Sequence, residues 1–294
     1  MNDQSLSAFD SVQEASRKLA SNGISNAAHE AKWLMEFCLG MASIDFHSQR
    51  IILSQDQRED FEKYLSRRLN NEPLAYITGQ TEFWSLPFKV SPATLIPRAD
   101  SETLVEQVLL LLPPAQEKTI LELGTGSGCL LLSVLHERPE VKGIAVDISP
   151  EALSVAKDNA ESLGLVSRTT FVESDWFASL PSKAARFHGV LSNPPYIPKQ
   201  DIAHLMEDVR RYEPLLALDG GVDGLEAYRH IIAKTPHYLI ADGFLAFEVG
   251  QGQADDVMAL MHRGGFYNIN KYKDLSGIDR VVLGFFAGND KRGL

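Results

Sequence analysis

The stretch Thr119-Ile120-Leu121-Glu122-Leu123-Gly124-Thr125-Gly126-Ser127-Gly128 decides the fold, because it predicts a buried strand that runs into a glycine-rich turn and then a helix. Glycines tolerate a positive φ and carry no Cβ, so the backbone of such a turn can approach a ligand closely. The first turn of the following helix offers free N–H groups. Open α/β sheets bind ligands at the carboxyl ends of their strands, which is where this turn lies.

Downstream of the turn, strands and helices alternate, which is typical of a doubly wound α/β domain with a mainly parallel sheet. A helix is predicted over 128–138. Another opens at Ser149-Pro150-Glu151, with a cap, an N1 proline and a first-turn acid, and ends at Gly164. Further helices are predicted over 225–240 and 254–263. Strands are predicted at 119–123, 143–147, 170–172, 189–192, 244–249 and 280–286.

Upstream of the turn, the pattern from residue 7 to residue 72 is helical, since apolar residues recur every three or four positions. Pro73 ends this run, and the aromatic and β-branched residues of 77–90, broken by Gly79 and Pro87, suggest a hairpin. We therefore expect four parts along the chain. They are a helical N-terminal domain (1–75), a hairpin-like connector (76–100), an α/β domain (101–288) and a tail (289–294).

Composition excludes several classes of protein. The 294 residues are 44% hydrophobic and 23% charged, as in ordinary folded, water-soluble proteins. Apolar runs such as Val108 to Leu112 are far shorter than the roughly 18 residues that cross a bilayer. The N-terminus lacks a secretory signal, so we expect a cytoplasmic protein. A net charge of −11 disfavours direct nucleic-acid binding. The spacing of the cysteines and histidines predicts neither disulfides nor a metal site.

Two acidic positions extend the argument about the glycine turn. The spacing G-x-G-x-G lacks the third glycine of the dinucleotide fingerprint, which argues against a dehydrogenase. Asp147 ends the second predicted strand, 19 residues after Gly128, where its carboxylate can accept hydrogen bonds from both ribose hydroxyls. We favour a nucleoside-type cofactor over a purely structural turn. After the third strand, Trp176 can wall an adenine ring and Asp175 can accept from its amine; a capped loop with a core aromatic is the alternative.

The string Ser192-Asn193-Pro194-Pro195-Tyr196-Ile197, after the fourth strand, is the most specific in the sequence. Two prolines remove two backbone donors and stiffen the turn. The Asn193 side-chain oxygen and the Pro194 carbonyl can both accept from one planar NH2 group, while Tyr196 packs on its face. Such acceptors bind more tightly as the nitrogen becomes positive during transfer. A proline-rich structural turn is the alternative.

These motifs together resemble a class I S-adenosylmethionine-dependent methyltransferase that methylates nitrogen. More closely, the chain resembles the HemK/PrmC family of protein-(glutamine-N5) methyltransferases, which modify the Gly-Gly-Gln glutamine of class-1 peptide chain release factors. Four more strings carry the resemblance: Glu72 to Gly79, Leu95 to Glu102, Ser174 to Phe177, and Tyr212-Glu213-Pro214. The resemblance implies a Rossmann-like methyltransferase domain and a small helical N-terminal domain that docks the release factor. Ser101 and Glu122 depart from the family's usual Thr and Asp.

The resemblance also implies the roles of particular residues. S-adenosylmethionine would be held by Glu122, Gly124, Thr125, Gly126, Ser127, Gly128, Asp147, Asp175, Trp176 and Asn193. The substrate glutamine would be held by Asn193, Pro194, Pro195 and Tyr196, of which Asn193, Pro194 and Tyr196 would be catalytic. Arg98 and Glu102 either line the entrance or form salt bridges that fix the connector; we favour salt bridges. The stretch from Glu248 to Gly252 is expected to be a loop beside the cleft; it could touch substrate, but glycine turn chemistry is enough to explain it.

Three other functions stay open at this point. A sister family methylates a glutamine of a ribosomal protein, and the N-terminal domain and connector favour the release factor over that substrate. N6-adenine methylation of DNA or RNA uses the same Asn-Pro-Pro-Tyr geometry, but the acidic charge argues against it. A catalytically silent adaptor that only binds the cofactor is disfavoured by the intact Asn193 and Tyr196. No membrane partner is expected.

Overall fold

The computed structural model describes residues 7–41, 43–44, 51–181 and 186–288, so the predicted tail over 289–294 lies outside the described residues. The contacts divide the chain into two compact units. The first, which we call the helical unit, runs to Gly79 and also includes Met206–Tyr212. The second, the sheet unit, comprises Gln80–Leu205 and the chain from Glu213 onward.

The helical unit owes its helices to clear local signals. Its helices are α1 (Ala8–Ser21), α2 (Ala27–Leu39), α3 (Gln55–Leu69), α4 (Leu74–Thr78) and α8 (Glu207–Tyr212). Ser54 and Gln57 form a reciprocal capping box at the start of α3. Helix α3 already ends at Leu69, and Pro73 is the N-cap residue of the short α4, which the sequence did not predict. Helix α8 belongs here because the Tyr212 hydroxyl donates to the Asn70 carbonyl at 2.8 Å.

The sheet unit is a doubly wound α/β domain, so the predicted fold class is confirmed. Its strands are β1 (Gln80–Phe83), β2 (Leu86–Lys89), β3 (Lys118–Leu123), β4 (Val141–Asp147), β5 (Thr169–Glu173), β6 (Phe187–Ser192), β7 (Leu239–Glu248), β8 (Phe266–Lys273) and β9 (Asp279–Phe286). Its helices are α5 (Glu102–Leu111), α6 (Cys129–Glu137), α7 (Pro150–Ser162), α9 (Leu215–Leu218), α10 (Glu226–Lys234) and α11 (Ala254–Arg263).

The order of the strands places a ligand site. Strands β1 and β2 form an antiparallel hairpin, and the other seven form one sheet in the order β5-β4-β3-β6-β7-β9-β8. Strands β3 to β7 are parallel, whereas β9 runs antiparallel to β7 and β8. The chain leaves β3 toward β4 on one side and later returns to β6 on the other. This topological switch point is where open α/β sheets bind ligands.

Several elements differ from the sequence-based expectation, among them the unpredicted helices α5, α8 and α9. The helix predicted over 225–240 ends at Lys234, since Pro236 cannot continue the hydrogen-bond ladder, and β7 already begins at Leu239. Strand β8 was not predicted, because it is an edge strand with mostly exposed side chains. Among the residues that the structure describes, no helix has both the length and the apolar character needed to span a bilayer.

Alternation along the central strands divides the core between the two faces of the sheet. In β7, Leu245 and Phe247 belong to the cluster covered by α10 and α11. Phe244 and Ala246 belong to the opposite cluster, which α5 and α6 cover. Because side chains alternate between faces, Glu248 at the end of β7 lies on the α5 side. The start of α5 is therefore the part of the fold that covers Glu248.

Candidate active site

A cavity of about 810 Å³ lies at the carboxyl ends of β3, β4, β5 and β6, entirely within the sheet unit. It brings together most of the predicted site residues: Glu122, Gly124, Thr125, Gly126, Ser127, Asp147, Asp175, Trp176, Asn193 and Pro195. Three predicted residues, Gly128, Pro194 and Tyr196, are not among the described residues that line it. The volume is in the range of small-molecule sites, roughly 300 to 1,000 Å³.

Gly128 shows why the turn after β3 needs glycine. It is the N-cap of α6 and has a φ of +81°, a region that side chains rarely adopt. A Cβ at this position would lie 3.0 Å from the Leu132 Cδ1 atom and 3.3 Å from the Ala156 Cβ atom. Gly128 therefore serves close packing beneath the cavity, while the residues before it form the cavity wall.

Asp147 joins the first two loops of the site. Its Oδ2 accepts a hydrogen bond from the Gly126 N–H at 2.8 Å, and its Oδ1 accepts one from the Ser149 N–H at 3.0 Å. Each carboxylate oxygen can accept a second hydrogen bond, and the side chain lines the cavity. The carboxylate is thus fixed in orientation and still has acceptor capacity for a ligand.

Glu122 is a buried acid, and one of its two carboxyl oxygens has no hydrogen-bond partner among the described residues. The residue is 1% exposed, and its Oε2 accepts a hydrogen bond from the Thr125 hydroxyl. The partnerless oxygen is Oε1. Burial raises the pKa of Glu122 to about 8; the Thr125 hydroxyl and the Leu131 backbone N–H oppose this shift, and the nearby Asp147 charge adds to it. A partnerless carboxyl oxygen beside a cavity suits a ligand that carries a positive charge or a hydrogen-bond donor.

Trp176 lines the cavity from a turn in which its own backbone has a positive φ. The Ser174 N–H donates to the Asp147 carbonyl at 2.9 Å, which ties this turn to the end of β4. Trp176 itself has a φ of +49°, a strained value for a residue with a side chain. A Cβ on Gly124 would lie 3.9 Å from the indole, so ring and glycine turn face each other. The His230 ring lies 6.4 Å from the Trp176 ring, and Asp175 lines the cavity with an exposed side chain.

The Asn193-Pro194-Pro195-Tyr196 turn follows β6 and is pinned at both ends. Before it, the Ser192 hydroxyl donates to the Leu123 carbonyl at 2.7 Å. After it, the Ile197 N–H donates to the Leu218 carbonyl at 3.0 Å. Asn193 and Pro195 line the cavity, while Pro194 is buried within the turn. Burial, with the neighbouring Glu248 charge, raises the pKa of Tyr196 to about 12, so this hydroxyl stays neutral.

Arg98 and Glu102 hold the segment before α5. Arg98 lines the cavity and forms an ion pair with Glu213, whose carboxylate also accepts from the Ile96 N–H at 3.3 Å. Glu102 fixes the hairpin through a backbone donor, the Trp84 N–H at 2.8 Å, instead of the expected salt bridge. The salt-bridge prediction therefore holds for Arg98 and is wrong for Glu102.

The sequence analysis assigned Ser101 no site role and predicted Glu248 in a loop beside the cleft, whereas Glu248 is the last residue of β7. The Ser101 hydroxyl donates a hydrogen bond to the Glu248 carboxylate, and Ser101 lines the cavity. Glu248 is 2% exposed, and burial raises its pKa to about 7, against the effects of the Ser101 hydroxyl and the Arg280 charge. An acid as the last residue of an apolar strand is a signal that could have indicated this position.

The sheet unit is similar to known methyltransferases. Residues 100–211 match the family model described as methyltransferase small domain. A solved methyltransferase from Pyrococcus furiosus is 16% identical to this chain, with a TM-score of 0.50 over 77% of this chain and 99% of that one. At this identity the likeness shows the fold alone.

The particular family follows from closer relatives. Residues 10–79 match the family model described as PrmC N-terminal domain. The release factor glutamine methyltransferase of Caulobacter vibrioides is 40% identical, over 92% of this chain and 93% of that protein. That of Escherichia coli is 42% identical, over 79% of this chain and 82% of that protein. The chain therefore belongs to the release factor glutamine methyltransferase family, and the resemblance stated above is confirmed.

Proposed function

We propose that this protein transfers a methyl group from S-adenosylmethionine to the side-chain nitrogen of the glutamine in the Gly-Gly-Gln motif of class-1 peptide chain release factors. One observation carries the proposal. The glycine turn with the partnerless Glu122 oxygen and the rigid turn that begins at Asn193 open onto the same cavity. In a chain of this family, this arrangement supports a cofactor site next to an amide-binding turn.

The described residues fit S-adenosylmethionine. The free acceptor capacity of Asp147 suits two ribose hydroxyls, and the indole of Trp176 offers a flat apolar wall for adenine. The Glu122 Oε1 atom, buried without a partner, suits the cofactor's ammonium group. We assign to the cofactor the remaining predicted residues that line the cavity, namely Gly124, Thr125, Gly126, Ser127, Asp175 and Asn193. Gly128 contributes by packing the turn from below.

When bound, S-adenosylmethionine supplies a methyl group on a positively charged sulfur, and its transfer to the amide nitrogen yields N5-methylglutamine, S-adenosylhomocysteine and a proton. The side-chain oxygen of Asn193 and the Pro194 carbonyl accept hydrogen bonds from the substrate NH2 group. These acceptors help to localise the nitrogen lone pair, and they bind more tightly as the nitrogen becomes positive. Pro195 stiffens the turn, so the acceptors need not be ordered during the reaction.

We assign the ring of Tyr196 to the face of the substrate amide. Asn193 and Pro195 line the cavity and Tyr196 follows them in the same turn, so this assignment puts the glutamine at the edge of the cavity. The glutamine then reaches the edge of the cofactor site from the substrate side. A protein substrate can present a single side chain in this way without entering the cavity.

The helical unit is proposed to contribute to docking of the release factor. This proposal draws on the match of residues 10–79 to the PrmC N-terminal domain, beyond the folding role of its own apolar core. Release factors act in translation, so we also propose that the protein works in the cytoplasm. We expect no direct binding of nucleic acid, since the net charge is −11.

The test uses S-adenosylmethionine with a labelled methyl group and a purified class-1 release factor. A matched factor carries alanine in place of the Gly-Gly-Gln glutamine, and a ribosomal protein mixture and DNA serve as alternative substrates. We expect label on the intact factor alone, and none with the Asn193→Ala enzyme. Label on the altered factor, on ribosomal protein or on DNA would replace the proposed substrate.

A further inference from the structure

Glu248 is a buried acid beside the Asn-Pro-Pro-Tyr turn, and the proposed function gives it no role. It is the last residue of β7 and is 2% exposed. In the register between β6 and β7, Ser192 pairs with Phe247. The next residues on the two strands are Asn193 and Glu248, which makes them neighbours at the ends of paired strands, and a hydrogen bond from the Asn193 side chain lowers the pKa of the Glu248 carboxyl group.

The direction of this hydrogen bond determines how the Asn193 amide is turned. An ionised carboxylate can only accept hydrogen bonds, and the Ser101 hydroxyl and the Arg280 charge favour the ionised form of Glu248, so we assign the Nδ2 donor of Asn193 to the side that faces Glu248. The Oδ1 acceptor must then lie on the other side of the planar amide. Rotation of the amide by half a turn would exchange the two atoms and present an NH2 group to the substrate NH2 group. Two donors would then face each other, and one substrate acceptor would be lost.

The Glu248 carboxylate is itself held from the start of α5. The Ser101 hydroxyl donates a hydrogen bond to its Oε2 atom. Nearby, Arg280 forms ion pairs with Asp100 at 3.2 Å and with Asp274 at 3.3 Å, and its charge favours an ionised Glu248. Ser101 lies 147 residues from Glu248 in the chain, so this contact joins two distant segments behind the turn. The acid therefore has a fixed position from which to hold Asn193.

A second contact from the same segment fixes the other end of the turn. The Gln253 Nε2 atom donates to the Tyr196 carbonyl at 2.9 Å and to the Gly224 carbonyl at 3.3 Å, while its Oε1 accepts from the Gly250 N–H at 3.1 Å. The approach is close, since a Cβ on Gly224 would lie 2.4 Å from the Tyr196 oxygen. These contacts hold the backbone of the turn. The rotation of the Asn193 side-chain amide is then the freedom that remains, and Glu248 is the neighbour that can fix it.

We propose that Glu248 is a positioning residue that acts through Asn193: its carboxylate holds the asparagine Nδ2, so that the Oδ1 atom faces the substrate nitrogen. This inference rests on the proposed function of Asn193 as an acceptor for the substrate NH2 group. It assigns Glu248 no contact with the substrate. Its effect on transfer should therefore disappear when the Asn193 side chain is removed.

A double-mutant cycle measures this dependence in the full-length enzyme. Glu248→Ala should lower kcat for release-factor methylation about 100-fold, the usual cost of a misplaced catalytic group. Binding of S-adenosylmethionine should change less than about threefold. Glu248→Gln, which keeps an oxygen for Asn193, should recover most of the lost kcat. In the Asn193→Ala background, Glu248→Ala should lower kcat by less than about a further threefold. Glu106→Ala, on the exposed side of α5, is the matched control and should leave kcat unchanged.

A second readout does not depend on which substrate is correct. In protein with nitrogen-labelled asparagine, hydrogen exchange of the Asn193 side-chain NH2 should be slow in wild type and Glu248→Gln and fast in Glu248→Ala. The buried Asn159 NH2, which donates to the Lys89 and Ser127 carbonyls, is an internal reference for intact folding and should stay slow in all three.

The outcomes separate the inference from the proposed function. Two results would overturn the positioning role. One is that Glu248→Ala lowers kcat by the same factor with and without the Asn193 side chain. The other is that the Asn193 NH2 group exchanges at the same rate in wild type and Glu248→Ala. If the wild-type enzyme labels no release factor, the proposed function fails, and the exchange measurement still decides whether Glu248 holds Asn193. Fast exchange of the Asn159 NH2 group would identify a folding defect in Glu248→Ala. Ser101→Ala would then replace Glu248→Ala in the double-mutant cycle, and its effect on kcat should likewise disappear in the Asn193→Ala background.

Discussion

Replacing Glu122 with glutamine should change how the stability of the protein depends on pH. The Glu122 carboxyl is 1% exposed, and burial raises its pKa from an ordinary value of 4.5 to about 8. The folded protein therefore binds this proton more tightly than the unfolded chain does. The resulting stabilisation is complete below pH 4.5 and is lost as the pH rises through about 8.

The magnitude follows from the size of the shift. One pKa unit corresponds to about 1.4 kcal/mol, so the interval from 4.5 to about 8 corresponds to a loss of at most about 5 kcal/mol. Glutamine has nearly the same volume and an oxygen for the Thr125 hydroxyl, but it does not ionise. Its extra NH2 group adds a cost that is independent of pH. Glu122→Gln should thus gain stability relative to wild type, by up to that amount, between pH 4.5 and 8.

Urea-induced unfolding of the cofactor-free protein at a series of pH values measures this difference. The exposed Glu106→Gln variant is the matched control for the loss of a carboxyl group that is not buried. If the Glu122→Gln difference stays within about 0.5 kcal/mol from pH 4.5 to pH 8, the carboxyl is not held protonated by burial, and the reasoning about the partnerless oxygen is refuted.

Three further substitutions test the site. Asn193→Ala should reduce kcat at least 100-fold and change the calorimetric affinity for S-adenosylmethionine less than about threefold; unchanged turnover would remove Asn193 from the chemistry. Trp176→Ala should weaken cofactor binding about tenfold or more, since stacking on a base contributes about 1–3 kcal/mol, and unaltered affinity would contradict the adenine assignment. Gln253→Glu replaces the donor to the Tyr196 carbonyl with an acceptor, so kcat should fall about tenfold. The exposed Gln251→Glu is its matched control, and equal activities of these two variants would show that Gln253 does not hold the turn.

Local signals made the main parts of the sheet unit predictable. The run from Thr119 to Gly128 predicts strand, turn and helix because its signals are local. The apolar residues indicate a buried strand, and the glycines that follow directly indicate a turn with positive φ. Asp147 was placed beside that turn because parallel strands end at the same edge of the sheet, and the Gly126 hydrogen bond shows that contact. The helix start at Ser149 was also predictable, since capping acts within one turn.

The remaining features depend on contacts that no local pattern contains. Strand β8 exposes most of its side chains and takes its structure from pairing with β9. The bond between Ser101 and Glu248 joins residues far apart in the chain, and only the packing of α5 over β7 brings them together. The membership of Met206–Tyr212 in the helical unit likewise rests on long-range contacts such as that between Tyr212 and Asn70.

The most direct test of the proposed activity is to locate the methyl group on the product. A class-1 release factor is incubated with the enzyme and S-adenosylmethionine, digested, and sequenced by tandem mass spectrometry. We predict one added methyl group on the glutamine of the Gly-Gly-Gln peptide, absent with the Asn193→Ala enzyme. An unmodified Gly-Gly-Gln peptide, or a methyl group on any other residue, would contradict glutamine methylation by this site.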